Sequence, residues 1–185
     1  MKHFLCIIAI TFTGLICTYS YAQSVSDNVE SKKILKFKNI PLTGEIKEFD
    51  LRMKDNNFIF IGDLYSSYNY IGLFYGRKVD AKVMYVPETK QVSSVVVIFP
   101  EKGDDATKLY EHLATQLNKK YNARKKMFVD GLLTFSYGEE FEITLSKGIQ
   151  GNVIFLTYSN KAKSEERYFY QNKHEEWMSE HQKDL

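Results

Sequence analysis

The chain has 185 residues, 44% of them hydrophobic and 26% charged, with a formal net charge of +2. Charges of both signs are mixed along it, without the basic stripe and high pI of a nucleic-acid binder, so nucleic acid is excluded as a partner. With 13 Tyr and 13 Phe the chain has ample material for a core.

The first predicted element is a secretory signal peptide. Met1-Lys2-His3 forms a short basic start, residues 4–17 form an apolar run, and Ser20 and Ala22 are the small residues a signal peptidase accepts, which predicts cleavage after Ala22. A membrane span needs about 20 apolar residues, and this run is shorter and is interrupted by Thr11, Thr13 and Gly14. Lipid attachment at Cys17 is disfavoured because β-branched Ile16 precedes it. Both cysteines, Cys6 and Cys17, lie in this leader. We therefore expect an exported mature chain, periplasmic or extracellular, with no transmembrane segment, disulfide, thiol nucleophile or thiolate metal ligand. Residues 23–33 are polar and aperiodic, the composition of a flexible tether, and a single α+β domain is expected over residues 34–185.

Within that domain, residues 36–41 are extended. Residues 44–54 place Ile46, Phe49 and Met53 on one helical face, with Asn56-Asn57 as the C-cap. From residue 58 to 100 the period changes to two, giving strands over 58–61, 70–75, 79–85 and 92–99. The apolar run Val95 to Phe99 reads as a central strand covered on both faces. A second helix follows, carrying Ala106, Leu109, Tyr110, Leu113, Leu117 and Tyr121 on its buried face, with Asp104-Asp105 at its start. The basic cluster Lys119, Lys120, Arg124, Lys125 and Lys126 straddles its end, where cations offset the helix dipole. Four more strands are expected over 125–129, 132–137, 141–145 and 153–158, joined by turns at Asp130-Gly131, Gly138-Glu139 and residues 148–151. Residues 164–185 form a polar tail helix whose partial apolar stripe runs through Tyr168, Trp177, Met178, His181 and Leu185. The element order predicts antiparallel meanders with segregated helices, a tandem helix-plus-four-strand arrangement with halves at 34–100 and 101–160.

Several short segments carry a resemblance. Residues 37–44 (Phe-Lys-Asn-Ile-Pro-Leu-Thr-Gly), Glu48-Phe49, Ile98-Phe99-Pro100 and Leu117-Asn118-Lys119-Lys120-Tyr121 resemble small exported bacterial proteins of unknown function, in which Gly commonly stands where this chain has Asn122. The element order is similar to the β-lactamase-inhibitor-protein-like architecture, which implies a curved sheet whose face meets a partner protein. Neither resemblance assigns catalytic residues.

The residues exclude most catalytic constellations. His174-Glu175-Glu176-Trp177-Met178 begins like H-E-x-x-H, but Met178 stands where the second zinc ligand must be. His181 lies about 10.5 Å further along a helix axis, too far to share the metal. His112 is expected to face solvent beside the second helix's apolar stripe. No G-x-S-x-G or phosphate loop occurs, and Gly72 and Gly76 read as a bulge or sharp bend. No metal or cofactor is expected. Glu139, Glu140 and Glu142 offer carboxylates for a hydrolase acting on polysaccharide or peptide, although Glu140 and Glu142 fall on a solvated strand face.

The aromatic run Tyr65-Ser66-Ser67-Tyr68-Asn69-Tyr70, with Tyr75 close behind, is the most suggestive feature. Tyrosine presents a flat apolar ring with a polar tip, suited to protein interfaces and to stacking on sugars. We expect Tyr65, Tyr68, Tyr70 and Tyr75 to form the binding surface of a non-enzymatic module for an envelope protein or glycan. The alternatives are the carboxylate hydrolase and a structural envelope component.

Overall fold

The computed structural model describes residues 33–121, 126–129, 132–148 and 153–181. The predicted signal peptide, nearly all of the predicted tether, Asn122, Arg124, Lys125, the predicted Asp130-Gly131 turn and residues 149–152 and 182–185 lie outside them. Among the described residues ten strands and three helices follow one another as β1 (Lys36–Phe37), β2 (Ile40–Pro41), α1 (Ile46–Asp55), β3 (Ile59–Asp63), β4 (Ser67–Phe74), β5 (Arg77–Tyr85), β6 (Val92–Phe99), α2 (Gly103–Tyr121), β7 (Lys126–Val129), β8 (Leu132–Tyr137), β9 (Phe141–Lys147), β10 (Ile154–Asn160) and α3 (Lys161–His181).

The fold is α+β, as the sequence predicts. Strands β3 to β10 form one antiparallel sheet in the order β3-β4-β5-β6-β10-β9-β8-β7. Each half is a helix followed by a four-stranded meander, and the last strands of the two halves pair at the centre, Val97 opposite Leu156. The order is thus palindromic about the β6–β10 seam. β6 is central in the sheet, as its apolar sequence predicts, but its two faces are not covered alike: Val95, Val97 and Phe99 are buried, whereas Val96 and Ile98 are half-buried.

Side chains alternate across a pleated sheet, and one face carries the core. Val79, Ala81 and Val83 of β5, Val95, Val97 and Phe99 of β6, and Leu156 and Tyr158 of β10 are buried in one cluster with Ile46, Phe49 and Met53 of α1 and Leu109, Leu113 and Leu117 of α2. The hairpin β1–β2, where the sequence suggests only extended chain, adds Phe37 and Ile40 to the same core. α1 ends in a Schellman motif. Phe58 N–H donates to Met53 C=O (3.1 Å) and Asn57 N–H to Lys54 C=O (2.9 Å), with Asn57 in the left-handed region at φ 61°. Phe58 then packs over Gly72, where a Cβ would collide with its ring. Gly72 is therefore a close-approach glycine, and Gly76 (φ 71°) belongs to the β4–β5 turn.

Among the described residues the other face has no comparable cover. Ser94 and Ser159 are buried near the end where α3 begins, and Ser164 Oγ donates to the Ser93 carbonyl (3.3 Å). Further along, Ile71, Val96, Ile98, Phe155, Thr157, Thr144 and Thr134 are half-buried and Ile59 and Leu132 exposed. Asp104 and Asp105 sit within the first turn of α2 and complement its dipole there.

α3 begins at Lys161, three residues earlier than expected, because the Asn160 side chain caps it by accepting the Lys163 N–H (3.2 Å). Its predicted stripe is not what faces the body of the protein. Tyr168, Trp177 and Met178 are exposed, whereas Lys163, Ser164, Arg167 and Tyr170 are half-buried.

Candidate functional site

The predicted tyrosines separate into three environments. Tyr65 and Ser66 form a two-residue turn between Leu64 and Ser67, whose backbones exchange hydrogen bonds of 2.9 and 3.1 Å. Both turn residues are left-handed (φ 49° and 57°), the geometry in which a hairpin turn of type I′ strongly favours Asn and Gly. Tyr65 projects from it and is 85% exposed.

Tyr68 and Tyr70 are strand residues, not loop residues, because Ser67 already belongs to β4. They face the helix side of the sheet beside Phe60 and Tyr85. Phe60 meets Tyr68 and Tyr70 edge-on at 5.2 and 5.6 Å, and Tyr68 meets Tyr85 at 5.6 Å. Tyr70 is fully buried, which corrects its placement on a binding surface. Its hydroxyl donates to Asp50 Oδ1 (2.9 Å), and Lys54 Nζ donates to Asp50 Oδ2 (2.7 Å). Burial first, and then the bond to Asp50, push the Tyr70 hydroxyl far above its ordinary pKa. Tyr85 is raised in the same direction by burial and by Asp63, which accepts its hydroxyl at 3.3 Å.

Tyr75 takes the first position of the β4–β5 turn (φ 50°). It borders two basic grooves, one with Arg77, Lys108 and His112 and the other with Lys36, Lys38 and Lys120. His112 is exposed there, as expected. Arg77 is paired with Glu101, and Lys38 donates to the carbonyls of Asn56 and Leu73, so part of this charge is already engaged.

A cleft of about 430 Å³ lies between α3 and the turns β3–β4 and β5–β6. Tyr65 and Ser66 line one side, Pro87 and Glu88 a second, and Arg167, Tyr170, Gln171, His174 and Glu175 of α3 the third. Arg167 Nε is buried without a hydrogen-bond partner, and no carboxylate among the described residues pairs with the guanidinium. Burial lowers its pKa, since nothing nearby compensates the desolvated cation. Gln171 Nε2 donates to Glu175 Oε1 (3.2 Å), and the His174 ring stacks on Trp177 at 6.3 Å. Of the four predicted tyrosines only Tyr65 reaches this cleft. Sequence reasoning missed Arg167, Tyr170 and Gln171. Their signal was the helical spacing of Lys163, Arg167, Tyr170 and His174, a face containing two cations that a search for apolar stripes passes over.

None of these grooves is lined by Glu139, Glu140 or Glu142. Glu140 belongs to the β8–β9 turn and not to the strand, and its carbonyl accepts the Lys161 N–H (2.8 Å). Glu142 lies opposite Ser159 and Ser136. Among the described residues no group of three or more His, Cys, Asp or Glu is placed to hold a metal ion, and no helix is long and apolar enough to cross a membrane.

No protein-family model matches the chain, and no curated protein or solved structure does so either.

Proposed function

We propose that the chain is an exported, non-enzymatic binding module whose recognition surface is centred on the Tyr65 turn and the cleft beside α3. One observation carries this: a tyrosine occupies the tip of a left-handed turn that disfavours it, fully presented beside a cavity. Conformational strain concentrates where function requires a particular side chain, and no packing contact of the core accounts for Tyr65. The leader sequence supports export, and an envelope protein or glycan is the partner class that fits such a compartment.

The test compares capture from an envelope extract by the exported protein and its Tyr65→Ala variant. We expect Tyr65→Ala to lose capture while melting as the parent does; undiminished capture would overturn the role of the turn.

A second reading rests on the less covered sheet face, where Ile71 of β4, Ile98 of β6 and Phe155 of β10 lie in one row with Asp80 of β5 between the first two. Such a face would meet a protein partner, as the likeness to the β-lactamase-inhibitor-protein-like architecture implies. Capture that survives Tyr65→Ala and is lost on Ile71→Lys together with Phe155→Lys would move recognition to that face.

A further inference from the structure

Two hairpin turns meet at the end of β4 opposite the Tyr65 turn. Phe37 pairs with Ile40 and Phe74 with Arg77, so Lys38-Asn39 and Tyr75-Gly76 are two-residue turns, and Lys38 Nζ joins them by donating to the Leu73 carbonyl (3.2 Å). All four turn residues are left-handed, at φ 44°, 68°, 50° and 71°. Asn39 and Gly76 suit that geometry, but Lys38 and Tyr75 do not. Strain of this kind collects where a particular side chain is used, and both strained side chains border the same groove.

Tyr75, 46% exposed, stands between two grooves of about 350 Å³ and about 410 Å³. The first is lined by Lys36, Lys38 and Lys120 together with the buried rings of Phe74 and Tyr158, and by no carboxylate. The second is lined by Arg77, Lys108 and His112, again without a carboxylate. Glu101 neutralises Arg77. Lys38 donates only to carbonyls, Lys120 lies over the Tyr121 ring, and Lys36 and Lys108 are exposed. Among the described residues none of these four lysines is in an ion pair. Like charges that share a groove repel one another, and an anion relieves that repulsion. An ammonium engages an anion as a point charge, so the lysines select for charge and Tyr75 for shape. An exposed phenol ring takes the flat apolar face of a sugar, and cations on both sides of one ring fit a chain of sugars that bears anionic groups. An acidic peptide holds its charges on flexible stems and would lose their rotamer freedom on binding.

We infer that this end of the molecule binds an anionic polysaccharide, one sugar ring on Tyr75 and the anionic groups to either side on Lys36, Lys38 and Lys120 in one groove and on Lys108 in the other. The site is separate from the Tyr65 cleft and does not depend on it.

Calorimetric titration of the full exported protein with dextran sulfate, uncharged dextran and poly-glutamate tests this, in about 0.15 M salt, where distant exposed charges are largely screened. We expect saturable binding of dextran sulfate, none of dextran, and poly-glutamate at least about tenfold weaker. Lys36→Gln with Lys120→Gln should weaken dextran sulfate at least about tenfold. Lys47→Gln with Lys173→Gln removes the same charge from exposed positions on α1 and α3 and should leave affinity within about twofold. Tyr75→Asn suits the left-handed turn better while removing the ring, and should weaken dextran sulfate about fivefold. Equal losses in the two lysine pairs would reduce the binding to net charge and overturn the inference. So would poly-glutamate binding as tightly as dextran sulfate, undiminished binding by Tyr75→Asn, or no saturable binding of dextran sulfate.

Discussion

At the scale of single residues, Tyr65 and Ser66 set stability against recognition. Two non-glycine residues in the left-handed region each cost about 1 kcal/mol or more. Replacing them with the pair the turn prefers, Tyr65→Asn with Ser66→Gly, should raise unfolding free energy by about 1–2 kcal/mol, read by urea denaturation. The same variant should lose envelope capture. A gain in stability with capture intact would show that the tyrosine is tolerated at the turn, not used there. This residue also marks the limit of what the sequence discloses. The aromatic run was visible, but type I′ turns are recognised by Asn and Gly, so nothing in Tyr-Ser separated the tip of a turn from the strand that follows. Tyr70 lay three residues into β4, and its hydroxyl is satisfied by Asp50, a residue 20 positions away on α1.

At the scale of elements, helices and strands with a clear period were legible and those tied by polar side chains were not. α2 declared itself through Leu109, Leu113 and Leu117, and β6 through its unbroken Val/Ile run, since burial and periodicity coincide there. α3 was misread because none of its described residues is fully buried, and polar contacts anchor its start: the Asn160 cap and the Ser164 bond to the Ser93 carbonyl. The union of α1 with β4 through Tyr70 and Asp50 has a measurable pH signature. Tyr70, Tyr85, Tyr121 and Tyr158 are all raised above the ordinary phenol range, chiefly by burial. A raised folded-state pKa means that the stability these groups contribute is complete below the unfolded value near 10. It declines as pH climbs above that value, because the unfolded chain releases protons that the folded chain retains. We expect urea-unfolding free energy to be flat from pH 7 to about pH 9.5 and to fall beyond it. Tyr70→Phe should show a shallower fall and a loss of about 1 kcal/mol at neutral pH. An identical alkaline slope in that variant would remove Tyr70 from the account.

At the scale of the whole molecule, the palindromic strand order makes the β6–β10 seam the place where the two helix-plus-meander halves become one body. Leu156 lies fully buried on that seam beside Val97. Leu156→Ala should therefore cost about 2–5 kcal/mol and leave unfolding a single transition, monitored in parallel by near- and far-ultraviolet circular dichroism. Two separated transitions would mean that each half holds together without the other. The architecture was legible at this scale because element order alone fixes a segregated α+β arrangement. The pairing of the last strands was not, since strand sequences carry little information about which neighbour lies across the seam. The outer boundary of the sheet has a consequence of another kind. β3 is an edge strand carrying exposed Ile59 and Ile61, and an apolar edge of this sort templates the addition of further chains. Its pairing with β4 slips between Phe60 and Gly62, and that bulge twists the strand and breaks the regular spacing an incoming strand would have to match. Straightening it by deleting Ile61 should thus promote edge-to-edge addition of chains, read as a rise in thioflavin T fluorescence over the parent protein.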